Sequence, residues 1–238
     1  RQLTATLGTL GSTLVRFLYG LPFALLWLAG VHFVGDFPLP APTAAFAGWV
    51  ALGAINQIAA TALLLKVMAE RNFMLGVAYS KSEAVQVAIF GFIFLGDPLT
   101  VTTVTAVALG TLGVLLLSPA DRKHPLRTLI AGWMTRPALL GLLSGATFGV
   151  ASIGYRGGAL ALEGSAFPMA AAYTLVAAQV LQTVLLGGWL LARDAPVVAR
   201  VCRAWRPSLF AGMMGATASV GWFTAMAIEP VAHVRTLA

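Results

Sequence analysis

Charge is scarce in this chain: Asp, Glu, Lys and Arg together make up 10% of its 238 residues. A soluble domain usually carries about 25% charged residues, so the composition argues against a water-soluble globular protein. The chain also has one cysteine, Cys202, which excludes an internal disulfide bond. Cys202 lies in a basic segment, where we expect a reduced thiol without a special role.

Catalytic signatures are missing as well. The histidines are His32, His124 and His233, all predicted at or near loops, and there is no HExxH, GxSxG or paired-aspartate motif. Ser80 and Lys81 are adjacent, but neighbouring side chains on a helix diverge, so they do not form a catalytic dyad. The sequence therefore favours a protein that is not an enzyme and that has no metal or cofactor. An intramembrane enzyme is kept as an alternative of low rank.

Long apolar segments fill most of the sequence, in which 59% of residues are apolar and the mean hydropathy is +0.87. A helix needs about 20 apolar residues to cross a bilayer, and lipid leaves backbone amides no partner outside their own helix. We therefore predict an all-α integral membrane protein, a polytopic helical bundle. The predicted spans are 11–33, 44–67, 72–95, 100–118, 138–160, 166–191 and 208–228, with an eighth that begins near Pro230.

Lys and Arg are concentrated in alternate gaps between these segments. Gaps 34–43, 96–99, 156–165 and 229–235 hold only Arg156 and Arg235. The basic gaps predict the cytoplasmic side, so the net charge of +7 indicates membrane topology rather than nucleic-acid binding. The basic gaps carry Arg1; Lys66 and Arg71; Arg122, Lys123, Arg127 and Arg136; and Arg193, Arg200, Arg203 and Arg206.

Acidic residues at corresponding span ends indicate an internal repeat. Asp36-Phe37-Pro38 and Asp194-Ala195-Pro196 each follow a span, and Glu70 and Glu229 each close the next span. The two offsets are 158 and 159 residues, so the register agrees to within one residue. The paired gaps differ in basic charge, which predicts opposite sidedness and therefore inverted-topology repeats.

This register predicts ten helices in two inverted five-helix repeats when the protein is intact, with about seven and a half present here. Residues 1–118 would be the first repeat without its first helix. Residues 119–137 would be a basic cytoplasmic linker. Residues 138–238 would be the second repeat without the end of its fourth helix and without its fifth.

Two short motifs carry a resemblance to a known family. The segment Phe90-Gly91-Phe92-Ile93-Phe94-Leu95-Gly96-Asp97-Pro98-Leu99-Thr100 is similar to a pattern of the EamA-type transporters in the drug/metabolite transporter superfamily, with Asp97 where that family usually has Glu. Leu14-Val15-Arg16-Phe17 resembles the family's arginine near the start of its second helix. The resemblance implies a secondary-active carrier of the cytoplasmic (inner) membrane. Such a carrier moves a small metabolite, amino acid or drug by alternating access, and proton-coupled efflux is one hypothesis for its mode of transport.

The candidate binding residues are polar side chains inside the spans, where an ionisable group costs a few kcal/mol. Glu83 lies within about 60° of Tyr79 and Gln86 around a helix, but about 160° from Lys81. Glu83 is therefore expected to bind a substrate amine or carry a coupling proton; alternatively, it forms an interhelical ion pair with Lys81, Arg16 or Arg235. The full set of candidate substrate-binding residues is Glu83, Lys81, Tyr79, Gln86, Asn56, Arg16, Trp222 and Arg235.

Three further expectations concern packing and partners. Gly141, Gly145 and Gly149 predict close approach of another helix, and Pro22 predicts a kink within the first span. The expected partners are a small-molecule substrate, the lipid bilayer and, as a hypothesis, protons; a homodimer is an arrangement that the sequence allows. A membrane subunit that binds a partner protein without transporting anything is the main alternative function.

Overall fold

The computed structural model describes residues 2–69, 80, 83–98, 100–117 and 135–236. All regular secondary structure within these ranges is helical. The helices are α1 (Gln2–Leu18), α2 (Leu21–Phe33), α3 (Ala44–Ala69), α4 (Glu83–Phe90), α5 (Val101–Leu117), α6 (Arg136–Leu160), α7 (Phe167–Arg193), α8 (Ala195–Arg203), α9 (Trp205–Ile228) and α10 (Val231–Thr236), and a π-helical turn (Gly91–Leu95) continues α4.

Five helical segments in the described part of the chain are long and apolar enough to cross a membrane: Thr6–Phe33, Ala44–Met68, Arg136–Leu160, Phe167–Arg193 and Trp205–Ile228. Large apolar side chains also cover the outside of these helices, for example Leu26 (68% exposed), Val184 (63%) and Phe210 (64%). Water would penalise such a surface, whereas lipid is a good solvent for it. The predicted all-α class is confirmed, and so is the presence of several helices long and apolar enough to span a membrane, while the inverted repeats stay a prediction.

Two of the predicted spans are described only as shorter apolar helices. The span at 72–95 is represented by Glu83–Leu95, and that at 100–118 by α5. Residues 119–134 of the predicted linker lie outside the described residues. The repeat boundaries at 118 and 138 therefore stay predictions.

The first span is interrupted before Pro22, as predicted. Helix α1 ends at Leu18 and α2 begins at Leu21, with Pro22 in its first turn. A proline ring clashes with the carbonyl group four residues earlier and lacks an N–H donor. Residue 18 is the one four positions before Pro22, so the continuous helix ends where that clash would occur.

The first compact unit combines residues 1–58 with residues 154–229. In it, α7 packs against α1, α2 and α9, and the short helix α8 packs on α1 and α7. Helices α3 and α6 meet through glycine, since a Cβ built on Gly154 would stand 2.6 Å from the backbone nitrogen of Gly53. One buried hydrophobic cluster of this unit consists of Leu7, Leu14, Val15, Phe17, Leu186, Leu190, Val197 and Val201.

The second compact unit combines residues 59–153 with residues 230–238. Here α4 packs on α5 and α10, and α10 also contacts α5. The glycine ladder predicted on α6 faces α4: a Cβ on Gly145 would stand 2.8 Å from the carbonyl oxygen of Ser80, and one on Gly149 would stand 3.1 Å from Val87. The close helix approach predicted from the ladder is confirmed at Gly145 and Gly149.

The turn after α4 depends on the particular residues of the segment Gly96 to Thr100. Gly96 adopts a left-handed conformation with φ of 68°, which favours glycine, and the Asp97 N–H donates to the carbonyl oxygen of Gly91. The hydroxyl of Thr100 accepts a bond of 3.1 Å from the N–H of Thr103 and so caps the start of α5. The segment therefore ends one helix and begins the next.

Candidate functional site

A largely buried ion pair joins α4 to α10. The Nε atom of Arg235 lies 3.0 Å from Oε1 of Glu83, and the two side chains are only 14% and 13% exposed. Glu83 is the first residue of α4, and Arg235 lies near the end of α10. The pair was one of the alternatives that the sequence left open for Glu83, and the structure selects Arg235 as a partner.

The guanidinium group of Arg235 has a further partner on α6. Its Nε and Nη2 atoms donate to the hydroxyl of Ser152 over 3.0 and 2.6 Å. The same group stands 6.0 Å from the centre of the Phe148 ring, one helical turn before Ser152, within range of a cation–π interaction. Arg235 thus lies among an anion, a hydroxyl and an aromatic face, and this environment holds its planar fork in one orientation.

A second polar contact links α10 to α5. The Nε2 atom of His233 and the Oγ1 atom of Thr103 are 2.7 Å apart, and Thr103 is only 2% exposed. His233 and Arg235 are two residues apart, so they leave α10 in different directions. One short helix therefore presents a cation to α4 and α6 and an imidazole to α5.

Beside this cluster, α4 and α5 enclose an open apolar groove of about 290 Å³. Its lining is almost entirely apolar, so a strongly polar molecule would find few hydrogen-bond partners there. The lining residues are Val85, Ala88, Ile89, Thr103, Val104, Val107 and Ala108.

The charged cluster supports two kinds of chemistry. A carboxyl group shielded from water can exchange a proton when its counter-ion moves, and an arginine fork can hold a carboxylate or phosphate through two hydrogen bonds. Within the described ranges, no group of three or more His, Cys, Asp or Glu side chains is placed to hold a metal ion.

The remaining predicted residues are distributed between the two units. Arg16, Asn56 and Trp222 belong to the first unit, and Gln86 lies on α4 in the second, half-buried. The Asn56 amide donates to the carbonyl oxygen of Leu52 in its own helix over 2.9 Å. Lys81 and Tyr79 lie outside the described residues.

Sequence reasoning missed a second polar cluster, in the first unit. The Nε2 amide of Gln182 donates to the Tyr155 hydroxyl over 2.6 Å, and both side chains are 3% exposed. Arg156 donates through Nη1 to the carbonyl oxygens of Met226 and Glu229, over 2.8 and 2.5 Å, at the end of α9. The available signal was a glutamine in the middle of an apolar span.

Ser152 and Thr103 were also missed, because single hydroxyl groups in apolar helices usually bond their own backbone. The hydroxyl of Ser152 does this too, donating to the carbonyl of Phe148 over 2.8 Å, while it accepts from Arg235. No local pattern distinguishes it from a serine that bonds only its own helix.

Comparison of the chain with family models, with curated proteins and with solved structures gave no match.

Proposed function

We propose that the protein is a secondary-active transporter of the EamA type in the drug/metabolite transporter superfamily. It would move a small polar metabolite, amino acid or drug across the cytoplasmic membrane by alternating access. The motif from Phe90 to Thr100 and the repeat register are the sequence support for this family. The basic gaps between the spans support an orientation with those gaps in the cytoplasm.

The observation that carries the proposal is the ion pair between Glu83 and Arg235. Desolvation of two charges costs several kcal/mol per ion, and their attraction compensates for this only in good geometry. Close packing of α4 on α10 can be achieved with small residues and neutral hydrogen bonds, without the cost of burying two charges. Intramembrane charges are therefore expected where a substrate or a coupling ion is handled.

In the proposed mechanism the ion pair is exchanged during the transport cycle. Protonation of Glu83 would remove its negative charge and weaken its hold on Arg235, and the freed guanidinium would bind an anionic group of the substrate. Release of the substrate and the proton on the other side would restore the pair. Ser152 would keep the guanidinium oriented in both states through its hydroxyl.

Counterflow in proteoliposomes tests this proposal. Proteoliposomes that contain the purified protein would be loaded with unlabelled amino acids, nucleosides, sugars or cationic drugs in turn. Uptake of the same compound in labelled form would then be measured. Glu83→Gln removes the charge with little change in shape, and Glu163→Gln makes the same change at an exposed position. We expect saturable exchange of one substrate class, lost in Glu83→Gln and kept in Glu163→Gln.

Absence of exchange for every compound by well-folded wild-type protein would reject the carrier and favour the partner-binding subunit. If exchange occurs and Glu83→Gln retains its full pH dependence, proton coupling through Glu83 is rejected while the carrier stands.

A further inference from the structure

A short amphipathic helix, α8, connects two membrane-spanning helices. Helix α7 ends at Arg193 and α9 begins at Trp205, and both are long enough to cross the bilayer. The nine residues of α8 lie between those two ends, so α8 runs at the membrane surface. The sequence had indicated only a basic segment here, because its arginines interrupt the apolar pattern.

Helix α8 is fixed to the first unit along one face. Val197 (7% exposed) and Val201 (0%) are buried and belong to the same cluster as Leu14 of α1. The Tyr19 hydroxyl donates to the carbonyl oxygen of Val201 over 3.1 Å, and a Cβ on Gly11 would stand 3.0 Å from Val197. The helix therefore forms a rigid platform whose other face is exposed.

The exposed face and its flanks are strongly basic. Between residues 193 and 206 there are four arginines and one acidic residue, Asp194, a net charge of +3. All four arginine side chains are exposed: Arg193, Arg200, Arg203 and Arg206. Positive-inside topology requires such charge near a span, but it does not require the charge to lie on a helix docked at the surface.

Apolar features suited to lipid surround these arginines. Trp189 and Trp205 are 51% and 50% exposed at the corresponding ends of α7 and α9, as expected of residues at the membrane interface, and Arg206 stands 5.3 Å from the Trp205 ring centre. An open apolar groove of about 320 Å³ includes Trp189, one helical turn before Arg193. It is lined by Leu10, Ile55, Ile58, Leu185, Leu186 and Trp189.

We propose that α8 and its flanking arginines form a binding surface for anionic phospholipids. The arginines, which we call the arginine patch (Arg193, Arg200, Arg203 and Arg206), bind the phosphate headgroups, and an acyl chain lies in the groove next to Trp189. Clustered arginines on an amphipathic helix at the end of a span are a typical arrangement for attracting acidic lipid. The occupant is a phospholipid because the charged and apolar parts adjoin at one membrane-facing end of the unit.

The test uses the exposed thiol of Cys202, the chain's single cysteine, which lies on α8. An environment-sensitive fluorophore on Cys202 would be followed while phosphatidylglycerol or phosphatidylcholine is titrated into mixed micelles of the purified protein. Native mass spectrometry would count the retained lipids. The variants are Arg200→Gln/Arg203→Gln and Arg200→Lys/Arg203→Lys; the control, Lys66→Gln/Arg136→Gln, removes two exposed charges from the second unit.

Wild type should bind phosphatidylglycerol in preference to phosphatidylcholine, and this preference should weaken at 0.5 M salt. The glutamine variant should bind phosphatidylglycerol about 10- to 30-fold more weakly than wild type. The affinities of the lysine variant and of the control for phosphatidylglycerol should stay within about threefold of wild type. This pattern would show that positive charge at Arg200 and Arg203 is responsible for lipid binding.

Three results would overturn the proposal. They are an unchanged preference in the glutamine variant, an equal loss in the control, or displacement of the lipid by soluble glycerol phosphate at similar concentration. The first would leave the arginines with a role in topology only, and the third would indicate a site for small anions.

Discussion

The Nε atom of Arg235 stands 3.0 Å from Oε1 of Glu83, with both side chains largely buried between apolar helices. Neither group has much water to replace its partner, so each charge depends on the other more than a surface pair would. Removing one member leaves a charge with fewer partners in a medium of low dielectric constant. Removing both members leaves no unpaired charge of this pair in that medium.

This asymmetry gives the first prediction. Glu83→Leu and Arg235→Met should each lower the free energy of unfolding by about 3 kcal/mol, and the double variant should lose clearly less than the sum. Denaturant unfolding in detergent, arranged as a double-mutant cycle, measures the coupling. Glu163→Gln serves as the exposed control and should change stability by less than about 0.5 kcal/mol. Additive losses would show that the pair is not energetically coupled.

The second prediction concerns the glycine contact between α6 and α3. Gly154→Ala would place a Cβ 2.6 Å from the nitrogen and 2.8 Å from the Cα of Gly53, and neither backbone atom can rotate away. We expect destabilisation by about 1–3 kcal/mol, seen as a lower melting temperature in detergent.

Gly188→Ala is the matched control for this change. Gly188 lies within α7, and a Cβ there meets nothing within 4 Å. Alanine should stabilise this helix by up to about 1 kcal/mol, because it restricts the unfolded chain. If both glycine variants changed stability in the same direction, the result would contradict a destabilising clash specific to the close contact of α6 with α3.

The features that the sequence predicted well depend on local chemistry. Apolar length is enough to locate a span, a proline that clashes with residue i−4 is enough to interrupt α1 before Pro22, and glycines four residues apart are enough to indicate the face formed by Gly145 and Gly149. Each follows from neighbours along one helix, so no knowledge of the tertiary fold is needed.

The partners of Glu83 and Arg235 could only be given as alternatives, because they depend on which helices meet. The sequence listed three cations for Glu83 and did not include Ser152 or His233 in the site. It also missed α8, whose two inward valines, Val197 and Val201, are too few for a hydrophobic run. Side chains that act across helices leave no fixed spacing in the sequence.

The third prediction concerns the hydrogen bond between Gln182 and Tyr155 in the first unit. Tyr155→Phe keeps the ring, whose centre lies 4.6 Å from that of Phe223, and removes the acceptor of the Gln182 amide. Because Gln182 is 3% exposed, its amide should lose a bond that water cannot easily replace, at a cost of about 1–3 kcal/mol.

Thermal unfolding in detergent measures this loss, with Tyr173→Phe as the control. Tyr173 is half-buried and would keep its ring contact with Phe46, at 5.6 Å between centres. A loss in Tyr173→Phe as large as that in Tyr155→Phe would contradict a specific role for the buried bond.

The fourth prediction isolates the contact that holds α10 to α5. Thr103→Val is close in volume to the original side chain but removes the hydroxyl that lies 2.7 Å from Nε2 of His233. Thr105→Val makes the same change on the same helix, at an exposed hydroxyl that donates to the Val101 carbonyl oxygen. Thr103→Val also removes a 2.9 Å contact with the Thr100 hydroxyl, so both substitutions lose a local bond, but only Thr103→Val, at a buried position, loses a bond between helices.

We expect Thr103→Val to lower stability by about 1–2 kcal/mol and Thr105→Val to have little effect. Protection of the α10 amides from hydrogen exchange should fall in Thr103→Val alone, since opening of α10 then breaks one bond fewer. Equal protection in the two variants would mean that the Glu83–Arg235 pair and apolar packing hold α10 without help from His233. In that case His233 would have no anchoring role, and a part in the proposed transport cycle would become the better explanation for its place beside the ion pair.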